Sequence, residues 1–507
     1  MRTPKHPLGV TLGLPGLLAA LACSDGRAQS EGTSLTGAIA TITAEDVRAR
    51  VGLLAHDSMR GRDTPSPELE ETAQYVAAQF RAFGLEPGAG DGYIQRYPIL
   101  VRRTGGGSRI EIPGGSASAT LSAGEGFALY ARSGVPDSLP HPVWYAGPDP
   151  DAAASAASAG GAPAGAFWLV PTQRAGAAAF RAWGEAARAG GAAMIAFVFP
   201  DDAAPLLRRV ARPGASVSLG DGADDDLPIL FLTQASAQGL FGGALPAAGS
   251  DGAAPHALGV RARVHADVQV EVTTAPNVIG ILRGSDRHLK DEYVVYSAHM
   301  DHVGVGAPLN GDSIYNGADD NASGTATILE IAEAMSRVTP RPRRSMIFMT
   351  VSGEEKGLFG SQWFSEHPTI PLARIVANLN VDMVGRNWED TIVAIGMAQS
   401  SLGATADSVA RANPALGLDV VDDLWPQERF YFRSDHYNFA RKGVPILFFF
   451  NGVHEDYHQP SDEPAKIQAE KAARVARLIA LTGWAVADAD ARPRWDPAAR
   501  AQVVETP

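Results

Sequence analysis

The sequence has little cysteine, no long apolar segment and no excess of basic residues. Cys23 is the only cysteine among 507 residues, so the chain forms no internal disulfide. No run reaches the roughly 18 apolar residues that a membrane-spanning helix needs. The formal charge of -13 at pH 7 argues against nucleic acid as a partner, because phosphate binding needs a cationic surface. A neutral or peptide-like substrate fits this charge better.

The first residues have the layout of a secretory signal. A short basic stretch, an apolar segment and small residues follow one another in MRTPKHPLGVTLGLPGLLAALAC. The chain is therefore predicted to be exported to the periplasm or the extracellular space, or to be anchored to the bacterial envelope by a lipid on Cys23. Residues 20–22 depart from the usual lipoprotein pattern, so ordinary cleavage after Ala22 or Ala28 is the alternative.

The length and composition predict two packed domains. Hydrophobic residues make up 45% of the chain and charged residues 20%, which is ordinary for a globular protein. From about residue 126 the composition shifts to Ala, Gly and Pro, with the strand-like runs FWLV and MIAFVF. The predicted organisation is a signal peptide at 1–28, a catalytic domain at 29–125 and 264–490, a smaller α/β insert at 126–263, and a poorly ordered tail at 491–507.

Strand-like and helix-like segments alternate after residue 264. The apolar runs are VIGILRG, YVVYSA, SMIFMTV, IVANLNV and PILFFF, and ATILEIAEAMSRV between them has a helical pattern. Such alternation predicts an α/β fold with a mostly parallel mixed sheet and helices on both of its faces. Strands that are apolar throughout are typical of sheets buried on both sides.

Residues that can bind a metal follow several of these runs. Six candidates are present: His299, Asp320, Glu354, Glu355, Asp382 and His458. In open α/β sheets, ligands bind beyond the carboxyl ends of the strands, so these side chains are expected to converge. Imidazole nitrogen and carboxylate oxygen suit zinc. The six divide into one histidine and one terminal carboxylate per metal, a shared carboxylate, and one glutamate left as a base.

The segments around these residues resemble those of a known family. SAHMDH, GADDNASG, SGEEKGLFGS, NLNVDMVG, SDHYNFARKGVP and DYHQPSD occur in the order found in family twenty-eight of the metallopeptidases, the co-catalytic di-zinc aminopeptidases. The resemblance is to the subgroup with an inserted protease-associated domain and covers most of the chain after the signal. It implies a zinc-dependent exopeptidase fold. The insert then either flanks the cleft and restricts long substrates or is a passive packing domain.

The resemblance also implies two zinc ions per chain. The implied ligands are His299 and Asp382 for one zinc, Glu355 and His458 for the other, and Asp320 as the bridge between them. Asp319, next to the bridge, is implied to be a loop carboxylate that supports the turn.

Further roles follow from the same resemblance. Glu354 is implied to be the general base, and Asp301 to fix the ring of His299 from behind, which sets its tautomer. Tyr457 resembles a phenol that hydrogen-bonds the developing oxyanion, although a packed tyrosine is an equal alternative. Asp435 could help to hold the substrate's ammonium group.

The implied function is that of an exported aminopeptidase, which removes N-terminal residues from peptides with a metal-activated water. One alternative is a carboxypeptidase, which the nearby Arg429 and Arg433 leave open. Others are a glutaminyl cyclase of the same fold and a catalytically inactive, peptidase-like binding protein. The complete ligand set and Glu354 argue against these last two. The sequence does not indicate the oligomeric state or the side-chain preference.

Overall fold

The structure is a computed structural model that describes residues 33–505, apart from 114–118, 131–138, 173–176, 221–226, 243–244 and 246–252. The expected signal peptide and Cys23 lie outside the described residues. A search of the described helices found none with the length and apolar character to cross a membrane.

A mixed sheet lies at the centre of the larger unit. With strands numbered in chain order, it contains β1 (Glu86–Pro87), β2 (Ile94–Thr104), β9 (Gly214–Leu219), β12 (Val268–Leu282), β13 (Tyr293–His299), β16 (Ser345–Val351), β17 (Ile375–Val381), β18 (Thr391–Ile395), β19 (Asp419–Val421) and β20 (Ile446–Phe449). Their order is β19-β18-β20-β17-β13-β16-β12-β2-β9, and β1 pairs with β12. The adjacent strands β20, β17, β13 and β16 are parallel. Antiparallel pairs adjoin them on both sides.

A second sheet forms the smaller unit. Its strands are β3 (Arg109–Ile112), β4 (Ala119–Ser122), β5 (Phe127–Tyr130), β6 (His141–Tyr145), β7 (Phe167–Pro171), β8 (Met194–Phe199), β10 (Ile229–Thr233) and β11 (His256–His265). Two of these strands, β3 and β4, precede residue 126, so the second sheet begins earlier than the sequence suggests. Strand β9, although it lies within the insert, pairs with β2 of the large sheet.

Helices cover both faces of the large sheet. They are α1 (Leu35–Ile39), α2 (Ala44–Leu54), α3 (Pro67–Ala82), α8 (Gly324–Ser336), α9 (Phe359–Glu366), α10 (Leu402–Ala412), α11 (His436–Ala440) and α12 (Ala469–Asp488). The smaller unit contains α4 (Pro150–Ser158), α5 (Ala177–Ala189), α6 (Ala204–Val210) and α7 (Gln234–Phe241). Along β13, Val294 and Tyr296 join a core with α3, α8 and α12, whereas Tyr293 and Val295 join a core with α9 and α11. This alternation buries both faces of the sheet, as its apolar strands predict.

Residues 491–505 are packed against the large unit, so the prediction of a poorly ordered tail was wrong for them. Helix α13 (Pro497–Val503) starts at Asp496, whose carboxylate accepts the N–H groups of the first turn. The Trp495 Nε1 donates to the Gly443 carbonyl at 2.9 Å, and Glu505 pairs with Arg441 at 2.8 Å. The Ala, Arg and Pro composition hid a short capped helix with proline in its first turn.

Candidate active site

The predicted ligands meet at one edge of the large sheet. His299 is the last residue of β13, Asp382 directly follows β17, and Glu354 and Glu355 lie shortly after β16. His458 lies in the loop after β20. These four strands are parallel neighbours, so their carboxyl ends open at the same edge.

Asp320 reaches this edge from an irregular helical turn, Ala318–Ser323, which precedes α8. The neighbouring Asn321 ties the turn to the end of β17. Its Oδ1 accepts the N–H groups of Gly324 and Met383, at 2.8 and 3.3 Å. Its Nδ2 donates to the Val381 carbonyl at 2.9 Å. The turn that carries Asp320 is therefore fixed to the strand that carries Asp382.

Three buried side chains form what we call the inner ligand group: His299, Asp320 and Asp382. The Nε2 of His299 lies 3.3 Å from Asp320 Oδ1 and 3.3 Å from Asp382 Oδ1. Ser434 supports the group, because its hydroxyl donates to Asp382 Oδ2 at 3.0 Å. The predicted first ligand pair thus lies together with the predicted bridge.

The outer ligand group consists of Asp320, Glu355, His458 and His302. The Nε2 of His458 lies 3.2 Å from Asp320 Oδ2 and 3.1 Å from Glu355 Oε2. Asp320 therefore directs one carboxylate oxygen to each group. His302, to which the sequence assigns no role, places Nδ1 2.8 Å from Glu355 Oε1.

The electrostatics of the two groups suit divalent cations. Burial alone would lower the pKa of His299, but Asp382 and Glu354 outweigh burial and raise it well above the ordinary value. Burial raises the pKa of Glu354 well above its usual range. The charge of His299 lowers this pKa, whereas the charges of Glu355 and Asp382 raise it further. Carboxylates packed this closely need nearby positive charge. The donor set of imidazole nitrogens and carboxylate oxygens fits zinc.

Glu354 lines a pocket together with Asp320 and Asp382. The loop that carries it is held by Asp301, whose Oδ2 accepts the Gly353 N–H at 2.8 Å and whose Oδ1 accepts the Glu354 N–H at 3.4 Å. Gly353 has φ +71°, in the left-handed region, and an added Cβ there would lie 2.8 Å from the Tyr97 hydroxyl. The loop conformation therefore requires glycine at this position.

Asp301 is closer to this loop than to the histidine that it is expected to orient. The short contact to His299 Nδ1 comes from the Asp301 carbonyl oxygen, at 3.1 Å, whereas the carboxylate Oδ1 is 3.8 Å away. The carboxylate also accepts the Thr64 hydroxyl at 2.8 Å. Its hydrogen bonds are therefore directed towards the Glu354 loop.

The rest of the pocket is mainly apolar. Its other lining residues are Met383, Phe430, Arg433, Ser434, Phe448, Phe450, Val453 and Tyr457. The ring of Tyr457 stacks on His458 with centroids 3.9 Å apart. Phe430 lines the pocket, and Trp425 packs edge-on against Phe430. Asp435 is fully buried and is not among the residues that line the pocket.

Asp319 and Asp462 support the turn that carries Asp320. Asp319 Oδ1 accepts the Gly385 N–H at 2.6 Å, and its Oδ2 lies 3.2 Å from His454 Nε2. Asp462 Oδ2 accepts the N–H groups of Asp319 and Asp320, at 3.0 and 3.1 Å. Asp319 thus lies where a loop carboxylate is expected, whereas the sequence analysis missed Asp462.

Two further residues that reach the site come from the N-terminal part of the chain. Thr64 contacts Asp301, and the buried Arg62 donates to the Met300 and Gly317 carbonyls, at 2.9 and 3.0 Å. Both residues lie in the segment DSMRGRDT between α2 and α3. The helical periodicity of that region indicates packing and contains no signal for these contacts.

Comparisons with known proteins agree with this architecture. The model described as Peptidase family M28 matches residues 277–483. The structure of an aminopeptidase from Aneurinibacillus sp. strain AM-1 is similar with a TM-score of 0.52 and 20% identity, over 90% of this chain and 97% of that one. This similarity confirms the predicted fold class.

Two curated relatives match by sequence. Aminopeptidase YwaD of Bacillus subtilis is 27% identical over 230 residues, which is 44% of this chain and 47% of that protein. A probable zinc metalloprotease of Pyrenophora tritici-repentis is 28% identical over 263 residues, which is 44% of this chain and 53% of that protein. The chain thus spans about half the length of these relatives. The segment 277–483, which contains every predicted metal ligand, is thus similar to Peptidase family M28.

Proposed function

We propose that this chain is a di-zinc aminopeptidase that removes N-terminal residues from peptides. The observation that carries the proposal is the shared carboxylate of Asp320, which lies between two ligand groups beside Glu354 at an apolar pocket. The names of the relatives, a Bacillus aminopeptidase and a fungal zinc metalloprotease, support the same assignment.

The inner ligand group would hold one zinc and the outer group the other, with Asp320 common to both. When bound, zinc supplies Lewis acidity to the attacking water and to the scissile carbonyl. His302 is a further candidate ligand for the outer zinc, because its Nδ1 lies 2.8 Å from Glu355 Oε1.

Glu354 acts as the general base in this proposal. It lines the pocket beside Asp320 and Asp382, and no hydrogen-bond or ion-pair partner of its carboxylate is found among the described residues. Burial and neighbouring carboxylates raise its pKa, which makes its ionised form a better proton acceptor than an exposed glutamate. Glu354 takes a proton from the attacking water and passes it to the leaving amine.

The charge at the closed end of the site favours a substrate with a free ammonium group. Asp320, Glu354 and Asp382 all line the pocket. Because Asp320 and Asp382 would hold zinc in this proposal, Glu354 supplies the carboxylate that a cationic amine would meet. Tyr457 lines the same pocket, from which its hydroxyl would donate to the developing oxyanion.

Arg433 favours a second candidate function, that of a carboxypeptidase. It is the cationic member of the pocket lining and packs over the Phe430 ring, with its guanidinium carbon 4.8 Å from the ring centroid. Its ion pair with Glu428 is long, at 3.9 Å, and exposed, so a substrate carboxylate could replace it.

The test is hydrolysis of matched peptides with free or acetylated N-termini and free or amidated C-termini. An aminopeptidase requires the free N-terminus and tolerates the amide, whereas a carboxypeptidase shows the reverse. Glu354→Gln should retain the zinc content of the wild type and lose about 10²–10⁴-fold in kcat. The matched control is Glu389→Gln at an exposed site, which should retain full activity. A zinc-loaded wild type that cleaves no peptide would refute the proposal.

We also propose that the protein is exported, on the basis of its N-terminal signal layout. Mass spectrometry of the mature N-terminus distinguishes a lipidated Cys23 from cleavage after Ala22 or Ala28. Retention of an unprocessed chain in the cytoplasm would refute export.

A further inference from the structure

Exposed apolar side chains continue outward from the pocket. Trp388 is 42% exposed and Val453 is 48% exposed. The ring of Trp388 stacks on Trp425, with centroids 6.0 Å apart and an interplanar angle of 18°. Trp425 in turn packs edge-on against Phe430 and Phe450, with centroids 5.8 and 6.0 Å apart. Because Phe430, Phe450 and Val453 line the pocket, an aromatic surface runs from its wall to solvent.

We call Trp388, Trp425 and Val453 the aromatic shelf. Three loops form it. Asn387 joins the loops of Trp388 and Val453, because its Nδ2 donates to the Asn451 carbonyl at 2.6 Å. Gly452 has φ +81°, and an added Cβ there would lie 2.6 Å from the Trp425 ring. The shelf is therefore fixed by defined contacts, while its outer face remains open to water.

We propose that the aromatic shelf binds an apolar side chain of the peptide on the carboxyl side of the scissile bond. The inference rests on the proposed aminopeptidase function. In an aminopeptidase only one residue lies on the amino side of the scissile bond, and the pocket beside Glu354 accommodates it. The shelf starts at Val453 in the pocket lining and extends to Trp425 and the exposed Trp388, which are not part of the lining, so its outer part meets the part of the peptide that leaves. Its apolar, flat surface fits aromatic or large aliphatic side chains.

The experiment measures binding, so it does not depend on turnover. Zinc-loaded Glu354→Gln protein is titrated calorimetrically with Leu-Gly-Gly, Leu-Phe-Gly and Leu-Gly-Phe. At least one phenylalanine peptide should bind about three- to tenfold more tightly than Leu-Gly-Gly. Adding Trp388→Ala should remove this advantage and leave Leu-Gly-Gly binding unchanged.

Tyr130→Ala is the matched control, because Tyr130 is also 42% exposed but lies on the second sheet. It should leave all three affinities unchanged. The proposal that the shelf binds an apolar side chain is overturned if the phenylalanine peptides bind no more tightly than Leu-Gly-Gly, or if their advantage survives Trp388→Ala. Shelf-dependent binding together with a wild type that hydrolyses none of the three peptides would refute the proposed activity and leave the shelf as a peptide-binding site.

A second, independent observation concerns Arg62. Its side chain is fully buried, and its guanidinium donates to the carbonyls of Met300, Asn316 and Gly317, at 2.9, 2.8 and 3.0 Å. Met300 follows His299, whereas Asn316 and Gly317 lead into the turn that carries Asp320. One side chain thus joins the two segments that carry the central ligands of the inner group.

We infer that Arg62 is a positioning residue, which sets the spacing between His299 and Asp320 before zinc enters. Arg344 provides a matched control, because it is equally buried and donates to the carbonyls of Val486, Ala489 and Asp490 far from the site. A lysine in place of either arginine keeps the charge and loses the branched set of donors.

Both Arg62→Lys and Arg344→Lys should lower the Tm, but only Arg62→Lys should weaken zinc binding, by about 10–100-fold in chelator competition. Equal zinc affinities in the two variants overturn the inference. If Arg62→Lys does not fold, hydrogen exchange of the wild-type apoprotein tests whether the site is ordered before zinc enters. Amides of residues 316–321 should be protected to a similar degree with and without zinc, and protection that appears only with zinc overturns the inference.

Discussion

The inner and outer ligand groups differ in how the fold supports them. His299 is 1% exposed and ends a central strand, whereas His458 is 36% exposed and lies in a loop with φ +54°. Asp382 follows its strand directly and accepts a hydrogen bond from Ser434. A site built on strand ends inherits the rigidity of the sheet, but a site completed by a loop depends on the contacts of that loop. We expect the inner group to be the tighter and the less accessible of the two.

Asp320 belongs to both groups, so its replacement should remove the difference between them. Asp320→Asn keeps the size of the side chain but loses the charge that faces both histidines. We expect zinc content to fall at both sites and peptide hydrolysis to fall by at least about 10³-fold, a loss that would exceed the usual effect of a supporting residue. Elemental analysis with activity assays checks this. Retention of one full zinc would show that Asp320 serves a single group.

Single histidine variants should make the difference visible. His299→Ala removes a buried side chain that two carboxylates face. We expect it to destabilise the apoprotein by about 1–3 kcal/mol. His458→Ala should change apoprotein stability far less, because the side chain is partly exposed. Each variant should lose one zinc. Thermal unfolding with zinc analysis tests this, and equal Tm values for the two apoproteins would contradict it.

If each group holds one zinc, as we propose, chelation should remove the two ions at different rates. His458 of the outer group is partly exposed, whereas all three side chains of the inner group are buried. A chelator is therefore expected to take the first zinc at least about tenfold faster than the second. Stopped-flow measurements with a zinc-sensitive dye provide the rates. A single phase that accounts for both ions would show that the groups do not differ in access.

The smallest effect is expected for Ser434→Ala. This change removes the hydroxyl that donates to Asp382 Oδ2 at 3.0 Å. We expect a loss of about 1 kcal/mol in the free energy of unfolding and a weaker inner zinc. Ser461→Ala, at an exposed position whose hydroxyl bonds Asp456 instead, is the control for inner zinc affinity. If Ser434→Ala weakens the outer zinc as much as the inner one, Ser434 does not support the inner group specifically.

The convergence of the candidate ligands could be predicted from sequence because each follows a recognisable strand or a family motif. His299, Glu355 and Asp382 come after apolar runs, and the topology of parallel strands brings such positions together. Arg62 and Thr64 could not be predicted in this way. Their partners lie more than 230 positions away in the chain, and the helical pattern around them describes packing alone. Local pattern records which element a residue belongs to, whereas long-range contacts depend on how elements meet.

Sequence pattern likewise could not predict the contact of His302 or the short helix near the end of the chain. His302 contacts Glu355 because the chain bends after His299, and its type alone gave no reason to separate it from a core histidine. The segment 491–505 appeared disordered by composition, yet the Asp496 cap and the Trp495 indole fix it. In both cases specific hydrogen bonds decide the structure where the average composition of the segment does not.

Strand β9 has a consequence for how this chain can be divided. It arises within the smaller unit but completes the edge of the larger sheet by pairing along β2 from Ile99 to Thr104. Excising the insert at residues 126 and 263 would therefore remove β9 and leave β2 paired with β12 alone. The other side of β2 would then expose an open row of backbone donors and acceptors, which is a template for aggregation. Because the insert contributes a strand to the large sheet, any exchange of the insert must retain Gly214–Leu219.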